Sequence, residues 1–327
     1  MSPSPTLSVV IVSWNVRTLL EAALHSVLAF SVSGSKLEVI VVDNASTDGT
    51  VEMVGASFPQ VRLIANRQNL GFTGGNNQGI SAAKGDYILL LNSDAELLDG
   101  ALDQMIHYLE MHPDVGLVGP QLLNSDGSHQ SSRRRFPTPM VLFLESTWLE
   151  GLAPRSSLDR YYCLDRSPTE RQEVDWVTGA AMMVRREVVD QVGPFDEGFF
   201  MYSEELDWCR RIRNAGWRIV YVPEAKVVHH GGKSSDQVAP ARHIYFQSSK
   251  VRYTRKYHGG AVAELLRVWL LAQYAWQTAV EATKWLLGHR RDLRAARVKA
   301  YLRVIRSGLR VPAICQHADF TSEEGSP

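Results

Sequence analysis

The sequence predicts an α/β protein: a mostly parallel sheet flanked by helices, followed by a helical extension at the C-terminus. Three observations lead there. Short apolar runs rich in Val, Ile and Leu alternate with segments of helical spacing through the first third of the chain. Several of these runs stop on clusters of Asn, Asp and Ser. Beyond about residue 240 the strand pattern gives way to helical periodicity almost to Leu309.

Taken in order, Leu7–Val12 reads as a buried strand ending on Ser13-Trp14-Asn15, and Thr18–Phe30 as a helix through Leu19, Leu20, Ala23, Val27 and Leu28. Leu37–Val42 is the next strand, Val51–Ala56 a helix and Val61–Ala65 a third strand. Gly71–Asn77 is a Gly/Asn-rich loop feeding a helix at about Gln78–Ala83, and the strand Tyr87–Leu91 runs into Asn92-Ser93-Asp94. Leu102–Met111 is helical and Val115–Val118 strand-like, while Gln121–Thr138 is polar and turn-rich. Trp176–Arg185 reads as a strand broken at Gly179-Ala180-Ala181, Ser203–Ala215 as a helix, and Arg218–Val222 and Ala225–His230 as extended pieces. The domain boundaries expected from this pattern are 1–238, with halves of about 1–120 and 121–238, then a helical region 239–311 and a disordered tail 312–327.

A formal net charge of zero over 327 residues provides no whole-molecule field for nucleic acid, and no reader motif is present, so nucleic acid is not an expected partner. Three cysteines, Cys163, Cys209 and Cys315, lie far apart without a C-x-x-C pair, which argues against a disulfide framework or a structural zinc. The N-terminus carries no basic region or cleavage site of a secretory signal, so a reducing cytoplasm is the expected compartment.

Ligands of an open parallel sheet bind outside the carboxyl ends of its strands. Here those ends carry Ser13-Trp14-Asn15, Asp43-Asn44-Ala45-Ser46 and Asn92-Ser93-Asp94. Any one cluster is equally a turn, because Asn, Asp and Ser favour turns; three at successive strand ends point to a shared ligand site.

The run Val42-Asp43-Asn44-Ala45-Ser46-Thr47-Asp48-Gly49-Thr50, then Asn69-Leu70-Gly71-Phe72-Thr73-Gly74-Gly75-Asn76-Asn77, then Leu91-Asn92-Ser93-Asp94-Ala95-Glu96 resembles glycosyltransferase family 2, and is similar to its bacterial rhamnosyltransferase-like branch. The likeness continues through Gly193-Pro194-Phe195-Asp196-Glu197, Phe200 to Arg211 and Val228-His229-His230-Gly231-Gly232, spanning roughly Leu7 to Ser235. It implies the GT-A fold and an inverting transfer of a sugar, rhamnose from dTDP-rhamnose or a UDP-sugar, from a nucleoside diphosphate to a hydroxyl of a lipid-linked or polysaccharide acceptor in cell-envelope glycan synthesis. A non-catalytic sugar-nucleotide binder of the same fold is the competing class.

What the resemblance implies for single residues follows its motifs. Ser13, Trp14, Asn15, Asp43, Asn44, Ser46, Asn69, Gly71, Asn76, Asn77, Asn92 and Ser93 become donor-binding, with Asp43 on the base and sugar and the glycines giving close backbone approach to the donor. Asn92-Ser93-Asp94 stands where the family has its Asp-x-Asp metal motif, one carboxylate short, so Asp94 becomes the main ligand of a divalent Mg²⁺ or Mn²⁺. His229 or His230 adds a nitrogen ligand, with His229 favoured. In the acidic cluster Glu204, Glu205 and Asp207, Glu205 matches the catalytic base, while Glu204 and Asp207 hold the acceptor or neighbouring arginines. The same acids also complement a helix N-terminus. Trp176, Thr178 and Gly179 match the segment lining the acceptor pocket, and core packing is the other reading of Trp176. Arg133-Arg134-Arg135 is a solvated run or a contact to an anionic ligand.

Between Ala261 and Leu287 the apolar residues gather on one helical face, with Arg267, Gln273, Gln277, Glu281 and Lys284 on the other. Arg290 to Arg310 then carries eight basic residues against Asp292 alone. Two readings follow, and both can hold: the apolar face packs on the protein, or the segment lies on an anionic membrane surface, peripheral on the inner face of the cell membrane. The charges make it a poor membrane span.

Overall fold

The computed structural model describes residues 6–29, 36–145, 147, 149–152, 154–231 and 239–310. In chain order the elements are β1 (Thr6–Ser13), α1 (Arg17–Ala29), β2 (Lys36–Asp43), α2 (Thr50–Ser57), β3 (Arg62–Ala65), α3 (Gly71–Ala82), β4 (Tyr87–Asn92), β5 (Ala95–Leu97), α4 (Ala101–Met111), β6 (Val115–Leu123), β7 (His129–Gln130), β8 (Arg133–Arg134), α5 (Pro139–Leu144) and α6 (Arg155–Tyr161). They continue with β9 (Gln172–Glu173), β10 (Trp176–Val177), β11 (Ala181–Arg185), α7 (Arg186–Val192), α8 (Glu204–Asn214), β12 (Arg218–His229), α9 (Ala239–His258), α10 (Gly260–Leu286) and α11 (Arg291–Ser307). Two compact units result: Met1–Phe136, Leu158–Glu197 and Glu204–Ser234 form the first, and Pro137–Ser157, Gly198–Ser203 and Ser235–Pro327 the second. Two short segments from before residue 238 therefore belong with the C-terminal helices. The expected disordered tail lies outside the described residues.

The main sheet of the first unit runs β3-β2-β1-β4-β11-β6-β12-β5, with β7 beside β6 and β9 beside β12. Strands β1 to β4 are mutually parallel, and so are β6 and β12; β11 runs antiparallel to β4 and β6, and β5 antiparallel to β12. The α/β sheet the sequence predicts is thus present, its parallel pairings confined to β1–β4 and to β6 with β12, and antiparallel strands between and beside them. Val9, Val10 and Ile11 are fully buried, as continuous apolar runs must be in strands covered on both faces. Helix α1 buries Leu20, Ala23, Leu24 and Val27, and α4 buries Leu102, Met105, Ile106 and Leu109, each set at 3–4-residue spacing; all but Ala23 belong to one core with Val9, Ile11, Val118 and Val222. Each such Leu or Ile contributes about 1.5–3 kcal/mol by leaving water.

The Gly/Asn-rich stretch differs from expectation. Gly71–Asn77 is already helix, the first half of α3. Glycine normally weakens a helix, yet here the missing side chains let α3 lie on β1: a methyl at Gly79 would sit 2.1 Å from Val10 Cγ1, and one at Gly75 2.7 Å from Val12 Cγ1. Trp176–Arg185 is also two strands rather than one. β10 pairs with β8 in a separate ribbon, and β11 enters the main sheet. Conversely, Arg218–His229 is one strand, with a register shift between Val222 and Lys226 around Pro223.

Within the second unit, α9, α10 and α11 are separated at Gly259 and Gly288, both at positive φ (91° and 81°), with α5 alongside. Trp269 donates its indole N–H to the Phe143 carbonyl (2.9 Å), and buried Lys250 meets Glu145 Oε2 at 3.0 Å. The segment Gly198–Ser203 lies on α9: Phe200 stacks with Tyr245, Tyr202 meets Phe246 edge-on, and Ser249 Oγ donates to the Met201 carbonyl. The Arg252 guanidinium covers Phe199 and fills the space a side chain at Gly198 would need.

Candidate active site

Two loops at the carboxyl edge of the sheet are laced together. Asn15 and Ala45 adopt left-handed φ (52° and 64°). The Asn15 N–H donates to Ser46 Oγ (2.9 Å), and the Thr47 N–H returns to Asn15 Oδ1 (2.8 Å). The Ser46 N–H donates to Asp43 Oδ2 (2.9 Å), fixing the carboxylate; Asp43 Oδ1 stays buried with no hydrogen-bond partner, as does Ser13 Oγ. Buried acceptors rarely remain unsatisfied, so Asp43 Oδ1 has acceptor capacity to spare at this edge. Trp14 is half-buried at the same edge.

Several other candidates hold the scaffold rather than face outward. Asn44 Nδ2 donates to the Gly71 carbonyl (2.9 Å) and its Oδ1 accepts from Asn66 (3.0 Å), so its carboxamide joins β2 to α3. Asn69 Oδ1 accepts the Gly71 N–H (2.8 Å) at the start of α3. Asn76 Nδ2 turns back to the Phe72 carbonyl (2.9 Å). Asn77 exchanges two hydrogen bonds with the backbone of Phe195, both at 3.0 Å, as a neighbouring strand would.

At the end of β4, Asn92, buried Ser93 and buried Asp94 meet the end of β12. His229 Nε2 lies 3.3 Å from both Asp94 Oδ1 and Asn92 Nδ2. On the opposite side of the ring, Nδ1 is 2.7 Å from Gln130 Oε1. The Gln130 amide nitrogen donates to Asn124 Oδ1 and to the His229 carbonyl, which makes Oε1 the atom at the ring. An acceptor there assigns a proton to Nδ1 and leaves Nε2 as the ring nitrogen that faces the Asp94 carboxylate. His230 differs: Nε2 meets Glu96 Oε1 (2.7 Å), Nδ1 meets Ser125 Oγ (2.8 Å), and its N–H donates to the Asp94 carbonyl (2.9 Å). Both of its ring nitrogens are occupied.

These residues fit a divalent cation as an open site. Asp94 and His229 Nε2 supply one hard oxygen and one imidazole nitrogen, and Asn92 Oδ1 is buried without a partner. Among the described residues no group of three or more His, Cys, Asp or Glu comes together as a closed cage. Gln130 went unnoticed in the sequence. It lies in the stretch that reads as polar and turn-rich, 99 positions from the ring it orients, and only the β6–β7 pairing brings it there.

The acidic cluster opens α8. The Asn92 N–H donates to the Ala180 carbonyl (2.9 Å), and a methyl at the adjoining Gly179 would sit 3.7 Å from both Glu205 Cβ and the Phe72 ring. Glu205 thus reaches the same edge through the β10–β11 connection. Glu204 is only 3% exposed and its Oε2 has no hydrogen-bond partner. Burial, with the neighbouring charge of Glu205 adding, pushes the Glu204 carboxyl well above the usual carboxylate range. Asp207 is fully buried against Arg211 Nε (3.0 Å), whose guanidinium also reaches the Val192 and Pro194 carbonyls. Asp207 therefore anchors α8, the arginine-holding half of its expected role. Burial raises the Cys209 thiol on this helix to about 12.

Trp176 is buried, with its indole N–H on the Arg135 carbonyl (2.9 Å), and the Thr178 N–H donates to Ser132 while its buried hydroxyl has no partner. The arginine run is structural at Arg133, which is buried and donates to the Cys163, Arg166 and Ser167 carbonyls. Arg134 lies over Tyr162, and Arg135 pairs with Asp175.

Comparison with known proteins gives the chain a family and a fold. The family model described as Glycosyl transferase family 2 matches residues 8–193. The chain is 32% identical over 223 residues to the N-acetylglucosaminyl-diphospho-decaprenol L-rhamnosyltransferase of Mycobacterium tuberculosis, covering 64% of this chain and 71% of that protein. It is 30% identical over 168 residues to the rhamnosyltransferase WbbL of Escherichia coli K12, covering 49% of this chain and 61% of that one. In fold it resembles the mannosyltransferase PcManGT from Pyrobaculum calidifontis, solved with GDP-Man and Mn²⁺ (TM-score 0.54, 18% identity, 94% of this chain and 87% of that one). It also resembles GalNAc-T7, solved with UDP, GalNAc and Mn²⁺ (TM-score 0.53, 18% identity), spanning 70% of this chain but 44% of that longer one. With the family model matching more than half of its length, the chain belongs to glycosyltransferase family 2.

Proposed function

We propose that this chain is a metal-dependent, inverting rhamnosyltransferase that takes rhamnose from dTDP-rhamnose and places it on a hydroxyl of a lipid-linked saccharide at the cytoplasmic face of the cell membrane. The observation that carries the reading is one sheet edge presenting an unpartnered Asp43 Oδ1, the Asn92–Asp94–His229 cluster and the Glu204–Glu205 pair. The rhamnosyltransferase relatives support the sugar, and the prenyl-diphosphate acceptor in the mycobacterial protein's name supports the acceptor class.

In this reading Asp43 Oδ1 accepts the N3–H of the pyrimidine, a donor that thymine and uracil share. A UDP-sugar satisfies it equally. Asp94 and His229 hold the cation, with Asn92 beside them. When bound, the cation neutralises charge developing on the departing diphosphate. Glu205 takes the proton of the acceptor hydroxyl as it attacks the anomeric carbon opposite the leaving group, which inverts that centre. Glu204, buried beside Glu205 and with its carboxyl pushed above the usual carboxylate range by that burial, positions the acceptor.

The test is a panel of dTDP-, UDP- and GDP-sugars incubated with Mn²⁺ and a prenyl-diphosphate-linked N-acetylglucosamine. Release of nucleoside diphosphate is scored, and the anomeric configuration of the product is read by NMR. The expected result is dTDP release dependent on acceptor, with inversion. Release of UDP alone moves the donor assignment, and a retained configuration sinks the mechanism.

A further inference from the structure

Helix α10 is built inside out. Its inward face carries Ala263, Leu266 and Leu270, but further along it buries Gln273 and Glu281, each 7% exposed. The opposite face is apolar and open to solvent: Leu265, Val268 and Trp276 stand exposed, and the helix ends on Leu286 and Leu287, 69% and 80% exposed. These five side chains lie within an arc of about 100° on a helical wheel at 100° per residue, along about 33 Å of helix. A helix packed only for its own unit would turn Leu and Trp inward and Gln outward. Here Glu281 is instead buried in an ion pair with Arg294 (2.6 Å), so the inverted orientation is satisfied internally and is not a packing defect.

Charge indicates what covers the stripe. Directly after Leu287, Arg290 and Arg291 are exposed, with the Arg291 guanidinium 5.9 Å from the centre of the Trp285 ring. Lys299 and Arg306 project from the exposed side of α11, and the whole stretch from Arg290 to Arg310 opposes its eight cations with Asp292 alone. Apolar side chains ending in a tip ringed by arginines match the boundary between acyl chains and anionic headgroups, where arginine stems lie along apolar surface and their heads reach phosphate. No helix among the described residues is long and apolar enough to cross a membrane, so the match is to a surface rather than a span.

We infer that the exposed stripe of α10, from Leu265 to Leu287, together with the arginine-bearing α10–α11 turn, is a docking surface for an anionic lipid bilayer, with α10 lying in the headgroup plane. The inference deepens the proposed use of a lipid-linked acceptor, but it rests on the second unit alone and is tested without donor or acceptor.

The full-length protein is sedimented with vesicles of phosphatidylcholine containing phosphatidylglycerol, and with phosphatidylcholine alone. Partitioning should be about tenfold or more stronger on the anionic vesicles at low salt and should fall as salt rises. L286E/L287E should lower it by about tenfold or more, as should R290E/R291E, with unchanged circular dichroism and thermal midpoint. Quenching of tryptophan fluorescence by brominated lipid should diminish in W276F/W285F, which places the stripe at the acyl boundary. Absence of binding to anionic vesicles overturns the inference. So does binding that L286E/L287E leaves intact, or a dimer in light scattering that the same pair dissolves while vesicles are ignored, since a second copy would then be the partner. An active transferase that ignores vesicles would sink this surface and leave the proposed reaction standing, whereas vesicle binding without transfer would do the reverse.

Discussion

The carboxyl edge of the sheet and the face of α10 solve opposite problems. At the edge, many polar side chains are tied to named partners: Asn44 on Gly71 and Asn66, Asn77 on Phe195, His230 on Glu96 and Ser125. The few atoms left over, Asp43 Oδ1 and Asn92 Oδ1 among them, lie at the centre of the candidate site. On α10 the surplus is apolar and lies outside. Unsatisfied polarity within one unit and unsatisfied apolarity on another are both departures from the rule that folding hides carbon and pairs polar groups. One marks where a small polar ligand belongs, the other where an extended apolar phase does.

The comparison is broken most forcefully at Glu205. If the edge is catalytic, Glu205→Gln should cut turnover by about 10²–10⁴-fold, the usual worth of a positioned base. In the proposed reading Asp43 and Asp94 hold the donor, so donor affinity by calorimetry should barely change. Near-normal turnover in this variant would remove Glu205 from the chemistry.

Next in size is the cation cluster. Asp94→Ala, or excess EDTA on the intact protein, should cost about 10²-fold or more in transfer. Gln130→Ala should weaken Mn²⁺ binding about 10–100-fold in calorimetry while leaving the fold intact, as loss of an outer hydrogen-bond partner does at metal-bound histidines. Unchanged Mn²⁺ affinity would mean that His229 does not need Gln130, or does not bind metal.

A smaller effect separates tight packing from open surface. Gly79→Ala forces a methyl against Val10 and should lower unfolding free energy by about 1–3 kcal/mol. Leu287→Ser, on the exposed stripe, should stay within about 0.5 kcal/mol. Denaturant titration reads both, and a costly Leu287→Ser would show that the stripe is packed after all.

The smallest effect is a slope. The Glu204 carboxyl is raised from its ordinary 4.5. Below about 4.5 both folded and unfolded chains hold that proton and it contributes nothing. As pH climbs, the unfolded chain releases it first, so folded stability declines toward the raised value. Glu204→Gln should flatten that decline in a plot of thermal midpoint against pH. An identical slope in both proteins would show that Glu204 is not the group responsible.

Much of the edge was legible because strand termini advertise themselves: Asp43, Asn92 and Asp94 each follow an apolar run, and the His pair closes another. The sheet followed from the same alternation. What escaped was whatever depends on partners distant in sequence. Glycines from Gly71 to Gly79 read as loop by local rules, and only contact with Val10 and Val12 explains them as helix. Asn44 and Asn77 look like ligand contacts until their backbone partners appear. Gln130 carries no local signal. For α10 both faces are legible in the periodicity, but which one turns inward is not, since that depends on where Arg294 finds Glu281.

The clasp of Asn77 on Phe195 carries a consequence for the protein's ageing. Its carboxamide both donates to and accepts from one residue's backbone, and its nitrogen also faces Glu197 Oε1 at 3.4 Å. Spontaneous hydrolysis of that single amide would replace the donor with a carboxylate oxygen pointed at a carbonyl and a second carboxylate. Loss of that amide would release the Phe195 loop, and the helical setting of Asn77 in α3, which holds the next backbone nitrogen away from the side-chain carbonyl, slows the cyclisation that leads to it.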